Sequence, residues 1–290
     1  MCMNINSLNH WLDNLSPTLL CKNLEVKHLI GFVNINKHNR SDTSINIDLR
    51  TIRTMLLFLK DMGDIDRTPS FKRALKACPI NDEEPIYITE SEFNQIMNTD
   101  WCLLYTTKRD WYKEVFHLYW DIGVRLSEPF FSTIRGNWLE IPKDKAKNRH
   151  ARSVRITPEQ TLTIQEMQRR YNKNPTIDHI KNYSKVFKKA LRHCNIDESK
   201  HLHSLRHSYA LMRRLETNGN YTQVAKELGH KSALVTEKYQ RCDERKLMDD
   251  FPSYQAIIES LQNGVISTTS TMDSSTRSYY RPHYSLRQMN

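Results

Sequence analysis

The sequence predicts a mainly α-helical protein with one small β-sheet, divided into an N-terminal all-helical domain and a C-terminal α+β domain. Three observations lead there. Apolar residues recur every three or four positions through much of the chain, the period of a helix with one buried face. Two short segments with β-like composition, residues 137–141 and 153–157, flank a strongly basic loop. Between the halves lies CPINDEEPIYI, where Pro79 and Pro85 enclose acidic residues in the manner of a linker. The expected boundaries are 1–80 for the helical domain, 81–88 for the linker, 89–263 for the second domain and 264–290 for a disordered tail.

In the first domain Ile45, Leu49, Ile52, Leu56 and Leu59 mark one face of a helix, which needs a partner to cover it. Segments 5–15 and 19–33 are the expected partners. The second domain opens at Thr89-x-x-Glu92, a capping box in which two side chains satisfy orphan backbone donors reciprocally. An apolar-rich helix is expected from Trp111 to Tyr119, followed by the hairpin. Thr157-Pro158-Glu159-Gln160 then combines a Thr cap, proline in the first turn and a second capping box. Helical patterning continues through 181–194, 204–217 and 221–228, with Gly229 as a C-terminal cap. From 244 to 263, with Ile257, Ile258 and Leu261, we expect a short helix without a core of its own, docked on a neighbouring protomer. Beyond it the Ser-, Thr-, Tyr- and Arg-rich tail has too few aliphatic residues to build a core. No internal repeat is visible.

Lys and Arg number 43 against 33 Asp and Glu, a formal net charge of +10 that favours a polyanionic partner, nucleic acid first. The six cysteines are scattered without a C-x-x-C pair, which argues against a zinc framework or a disulfide scaffold and for a cytoplasmic protein. The N-terminal stretch lacks a basic region followed by an apolar run, and no segment reaches membrane-spanning length.

His201-Leu-His203-Ser-Leu-Arg206-His207 places His203, Arg206 and His207 along one helical face. Alone, this spacing admits a solvated helix start, an anion site or a metal site. Ahead of it, Lys181, Lys185, Lys188, Lys189 and Arg192 give a helix a cationic stripe, with Tyr183 and Phe187 interleaved, suited to a phosphate backbone or a major groove. A solvated basic face is the plainer reading.

The order of the motifs is more specific than any one of them. Gly123-Val-Arg125-Leu-Ser-Glu128 comes first, then the basic loop with Lys143, Lys145, Lys147, Arg149 and Arg152, then His203-x-x-Arg206-His207, then Leu-Gly-His230, then Tyr239 nine residues later. This succession resembles the tyrosine recombinase, or phage integrase, family over residues 86–245. Over residues 1–80 the likeness is only architectural, to the helical core-binding domain of that family. Pro129 after Glu128 departs from the usual aliphatic residue.

The resemblance implies an enzyme that attacks a DNA phosphodiester with Tyr239 and keeps the phosphate as a 3′-phosphotyrosine, so strands rejoin without ATP, metal or any cofactor. Arg125 and Arg206 would stabilise charge on the phosphate, arginine being suited by its planar fork of permanent donors, with His203 and His230 as further donors or proton carriers. Lys147 would protonate the departing 5′-oxygen; counting back from Ser153–Thr157 selects it over Lys145 and Lys143. Glu128 would orient the arginines and His207 would support the site. Lys145, Arg149, Arg152 and the Lys181–Arg192 stripe would bind DNA. The implied partners are double-stranded DNA and three further copies in a tetramer on synapsed sites, with no membrane. A type IB topoisomerase and a non-catalytic DNA-binding protein on the same fold stay open as alternatives.

Overall fold

The computed structural model describes residues 20–78, 84–99, 109–142, 151–230 and 238–254, which belong to two units, residues 1–82 and 83–290. In the first unit, Ser41 caps α2 (Asp42–Asp61) by accepting a hydrogen bond from the Ser44 amide. The predicted stripe is there: Ile45, Leu49, Ile52 and Leu56 are buried, and Leu59 is half-buried at the edge. They are covered by Leu29, Phe32 and Val33 of α1 (Val26–Asn36) and by Ala74 of α3 (Lys72–Ala77). The expected partner segment 5–15 lies outside the described residues.

The second unit begins on the Thr89 capping box, which opens α4 (Glu90–Asn98) with both reciprocal bonds formed. It continues through α5 (Arg109–Ile122) and α6 (Glu128–Phe131) to a three-stranded antiparallel sheet of β1 (Thr133–Arg135), β2 (Trp138–Ile141) and β3 (Arg152–Arg155), in the order β1-β2-β3. Sequence reading found β2 and β3 and missed β1, whose three residues are too few for an alternating pattern to register. The second predicted capping box, Thr157 with Gln160, opens α7 (Pro158–Lys173), and Thr176 caps α8 (Ile177–His193). The last elements are α9 (Leu202–Glu216), α10 (Tyr221–Leu228), a 3-10 turn (Lys238–Arg241) and α11 (Glu244–Asp250). The fold class is therefore as predicted, mainly helical with one small sheet.

The core sits around α9, whose Leu205, Tyr209, Ala210, Leu211 and Met212 are all buried. Ser208 joins it to the start of the unit, its hydroxyl donating to the Ile88 carbonyl (2.6 Å) and accepting from the Ile88 amide (2.9 Å). One expectation changes in part. Leu247, Phe251 and Tyr254 are buried in this same core, with Phe251 against Tyr87 (ring centroids 5.8 Å apart) and Trp120 (6.2 Å). Over residues 244–254 the C-terminal segment buries its apolar side chains in the core of its own chain, because aromatic rings contributed by α5 and the segment before α4 offer it a surface that local periodicity does not reveal. Ile257, Ile258, Leu261 and the tail lie outside the described residues.

Candidate active site

Two helices of the second unit end in the same way, and the site is built where they end. α5 stops at Gly123 (φ +59°) and α10 stops at Gly229 (φ +65°), both in the left-handed region that glycine adopts without steric penalty. Neither position has room for a side chain. A Cβ on Gly123 would lie 2.3 Å from the Tyr209 ring, and one on Gly229 would lie 2.9 Å from the Arg152 side chain. Each glycine leads directly into a candidate residue, Arg125 in the first case and His230 in the second.

Arg206 fastens these two helix ends together. It is 3% exposed, and its guanidinium donates to the Gly123 carbonyl (2.6 Å) and to the Leu228 carbonyl. Carbonyls at helix C-termini carry partial negative charge, so a cation is favoured there. Burial, then the nearby positive charges of Arg125 and Arg152, push Arg206 down to about 9, while Glu128 opposes them. At neutral pH it is still charged.

Among the described residues, Glu128 is the carboxylate that these three guanidinium groups share. It accepts from the Arg125 amide (2.7 Å) and Nη1 (2.9 Å), and from both terminal nitrogens of Arg152 (2.8 and 2.7 Å). Burial alone would raise it, but the Arg152 fork, the charges of Arg152 and Arg206 and the Arg125 amide bring it down to about 2. Arg152 had been expected to face DNA. Its side chain is instead 6% exposed, wedged between Glu128 and Gly229, because a buried carboxylate beside the hairpin needs a bidentate partner. Among the described residues, three cations against one anion leave the cluster with a surplus of positive charge, which suits a phosphate.

Tyr239 lies in the 3-10 turn, 1% exposed. Its hydroxyl is 2.8 Å from Nδ1 of His207. Its backbone carbonyl accepts from Nη1 of Arg214 (2.8 Å), which also donates to the Cys242 carbonyl (2.9 Å). His207 and Arg214 are two turns apart on α9, so one helix face holds both ends of the tyrosine. The Arg214 contact was missed in the sequence, although the seven-residue spacing is a readable signal. Burial pushes the Tyr239 phenol up; the charge of Arg206, and more weakly that of Arg125, pulls the other way. His203 is exposed, with its ring edge-on to His207 at 4.9 Å, and His230 is half-buried, its amide closing the end of α10 on the Ala225 carbonyl.

On α8, Lys181, Lys185, Lys189 and Arg192 are exposed, while Lys188 is half-buried and donates to the carbonyls of Glu198 and Lys200. Tyr183 and Phe187 do not interleave with the stripe. They point into the core, since the apolar face of α8 falls on them. Lys143, Lys145, Lys147 and Arg149 lie outside the described residues.

No protein-family model and no curated protein matches the chain. Solved structures do. A XerH site-specific recombinase bound to a palindromic difH substrate, in a post-cleavage complex, is 14% identical over 84% of this chain and 75% of its own, with a TM-score of 0.59. The chain has the fold of the tyrosine recombinases. A lambda integrase dimer bound to a COC′ core site is 15% identical over 83% of this chain and 70% of its own, at a TM-score of 0.62. The Tn1549 transposon integrase in complex with transposon right-end DNA is 13% identical over 89% of this chain and 92% of its own, at 0.64. Identities this low make the recombinase fold, and not the activity, the common property.

Proposed function

We propose that the protein is a site-specific DNA recombinase that cleaves and rejoins double-stranded DNA through a covalent 3′-phosphotyrosine on Tyr239. The observation that carries this reading is a buried tyrosine hydroxyl, held by His207 at 2.8 Å, within the field of Arg206 and Arg125. Such a cluster offers an oxygen nucleophile beside pre-placed cations, and cations fixed before the reaction stabilise the charge that builds on phosphate oxygens in a pentacoordinate state. Each donor of this kind contributes on the scale of ~3 kcal/mol. Arg125 and Arg206 take that part in our reading, with His203 and His230 as further donors. Glu128 holds Arg125 in place and Lys147 supplies the proton for the 5′-oxygen. We further propose that the active assembly is a tetramer of this chain on two synapsed sites.

The test begins with randomised nicked duplexes, from which the wild-type protein captures its substrate covalently. On the captured duplex, Tyr239→Phe is expected to bind with unchanged affinity and form no adduct, because the ring packs alike and only the nucleophilic oxygen is removed. An adduct that persists in Tyr239→Phe overturns the assignment. Relaxation of supercoiled plasmid lacking the captured sequence would point instead to a topoisomerase.

A further inference from the structure

The tyrosine nucleophile must lose a proton while buried, and the geometry supplies an acceptor that the motif order did not single out. Resting on the proposed recombinase reading, we propose that His207, and not His203, takes the Tyr239 proton at strand cleavage and returns it at resealing.

Four observations on two elements support this. Nδ1 of His207 lies 2.8 Å from the tyrosine hydroxyl, within the range for an O–H to a ring nitrogen. Tyr239 is 1% exposed, so bulk water has little access to its oxygen, which favours a protein group as the acceptor. Arg214 holds the carbonyl of the same residue from the same face of α9, which keeps the phenol directed at His207. His203, in contrast, is exposed and reaches this region through an edge-on contact of its ring with that of His207 at 4.9 Å. It is placed to meet a phosphate or solvent and to back the His207 ring.

The step balances. In cleavage the Tyr239 O–H bond breaks, its proton passes to Nδ1 of a neutral His207, the phenolic oxygen forms the bond to phosphorus, and the P–O5′ bond breaks with the 5′-oxygen taking a proton from the acid. In rejoining, a 5′-hydroxyl attacks the phosphotyrosine and gives its proton back to the group that acted as acid, while the P–O bond to Tyr239 breaks and the departing phenolate recovers its proton from His207. The imidazolium therefore exists only in the covalent intermediate, beside a phosphodiester whose negative charge it faces.

The experiment uses the full chain and the duplex captured by the wild-type protein, with adduct formation followed in time. His207→Asn is expected to bind DNA as the wild type does and to form adduct about a hundredfold or more slower, the usual scale for a lost proton acceptor. Replacing Tyr239 by a fluorinated tyrosine, whose phenol is more acidic, is expected to recover at least about tenfold of that loss, since a weaker O–H bond needs less help from a base. The same replacement is expected to leave Arg125→Ala and His203→Asn slow. Should His207→Asn fold poorly, added imidazole with His207→Ala reads the same step, and recovery of adduct is the expected result. A wild-type rate in the His207 variants, absence of recovery by either route, or recovery confined to His203→Asn overturns the inference while leaving the recombinase reading intact. Failure of the wild-type protein to form any adduct removes both.

Discussion

At Glu128 one carboxylate holds together groups from three segments of the chain, and its ionisation is tied to folding. With a folded value of about 2 against an ordinary value of 4.5, the carboxylate contributes stability that is fully present above about pH 4.5 and is lost as pH falls through about 2. The shift corresponds to roughly 3 kcal/mol, and with the side chain 1% exposed solvent screening takes little from it. Glu128→Gln should therefore lower stability at neutral pH by about 3–5 kcal/mol, because Arg152 is left buried without its charge partner. Below pH 4.5 the gap between wild type and variant should close as pH falls, which denaturant unfolding at a series of pH values will read. A constant gap from pH 7 to pH 2 would place the stabilisation elsewhere.

At the scale of elements, α9 does the organising, and we propose that the segment between β2 and β3 supplies the acid. Along α9, Arg206 joins two helix ends while His207 and Arg214 grip Tyr239, so the site is as rigid as the core in which that helix lies. On the hairpin we expect Lys147 to be the general acid. Lys147→Ala should slow cleavage by about two to four orders of magnitude, and sulfur at the bridging 5′ position should restore it, because a thiolate leaves without a proton. Arg125→Ala should not be rescued. Sulfur rescue of Lys145→Ala with Lys147→Ala still slow would shift the hairpin register by two residues. The exposed face of α8 makes a different contribution. Changing Lys181, Lys185 and Lys189 together to Ala should lower the slope of log affinity against log salt by about 0.9 for each phosphate contact removed, measured by fluorescence anisotropy on the captured duplex. An unchanged slope means that this face is only solvated.

For the whole molecule, residues 244–254 belong to the core of the second unit. Residues 244–254 bury Leu247, Phe251 and Tyr254 in the core of the second unit, and the Asp250 carboxylate accepts from the Tyr87 hydroxyl. Burying an aliphatic or aromatic side chain contributes about 2 kcal/mol or more, so losing three removes much of the ~5–15 kcal/mol by which a domain is stable. A chain cut after residue 243 should lose the helical circular dichroism signal of its second unit. Comparing a chain cut after residue 254 with the full chain, in stability, single-site DNA binding and recombination, reads what residues 255–290 add. Equal stability of the two shortened chains would show that the C-terminal contacts are marginal. The net charge of +10 would act at this scale too, drawing the protein toward the DNA of the proposed reaction from a distance before close contacts form.

The residues alone determined the helical class, three capping signals at Thr89, Thr157 and Gly229, and the ordered set from Arg125 to Tyr239, because these depend on spacing within a few turns and on side-chain chemistry. Tertiary structure decided the rest. Arg206 meets a carbonyl 83 residues away, Arg152 meets a carboxylate 24 residues away and turns inward, and His207 meets a hydroxyl 32 residues away. Tyr183 and Phe187 likewise read as companions of a cationic stripe until the core claimed them. Local periodicity says which face of an element is apolar or charged. It does not say what that face will meet, since that is set by how distant segments pack to bury their apolar surface and satisfy their polar groups.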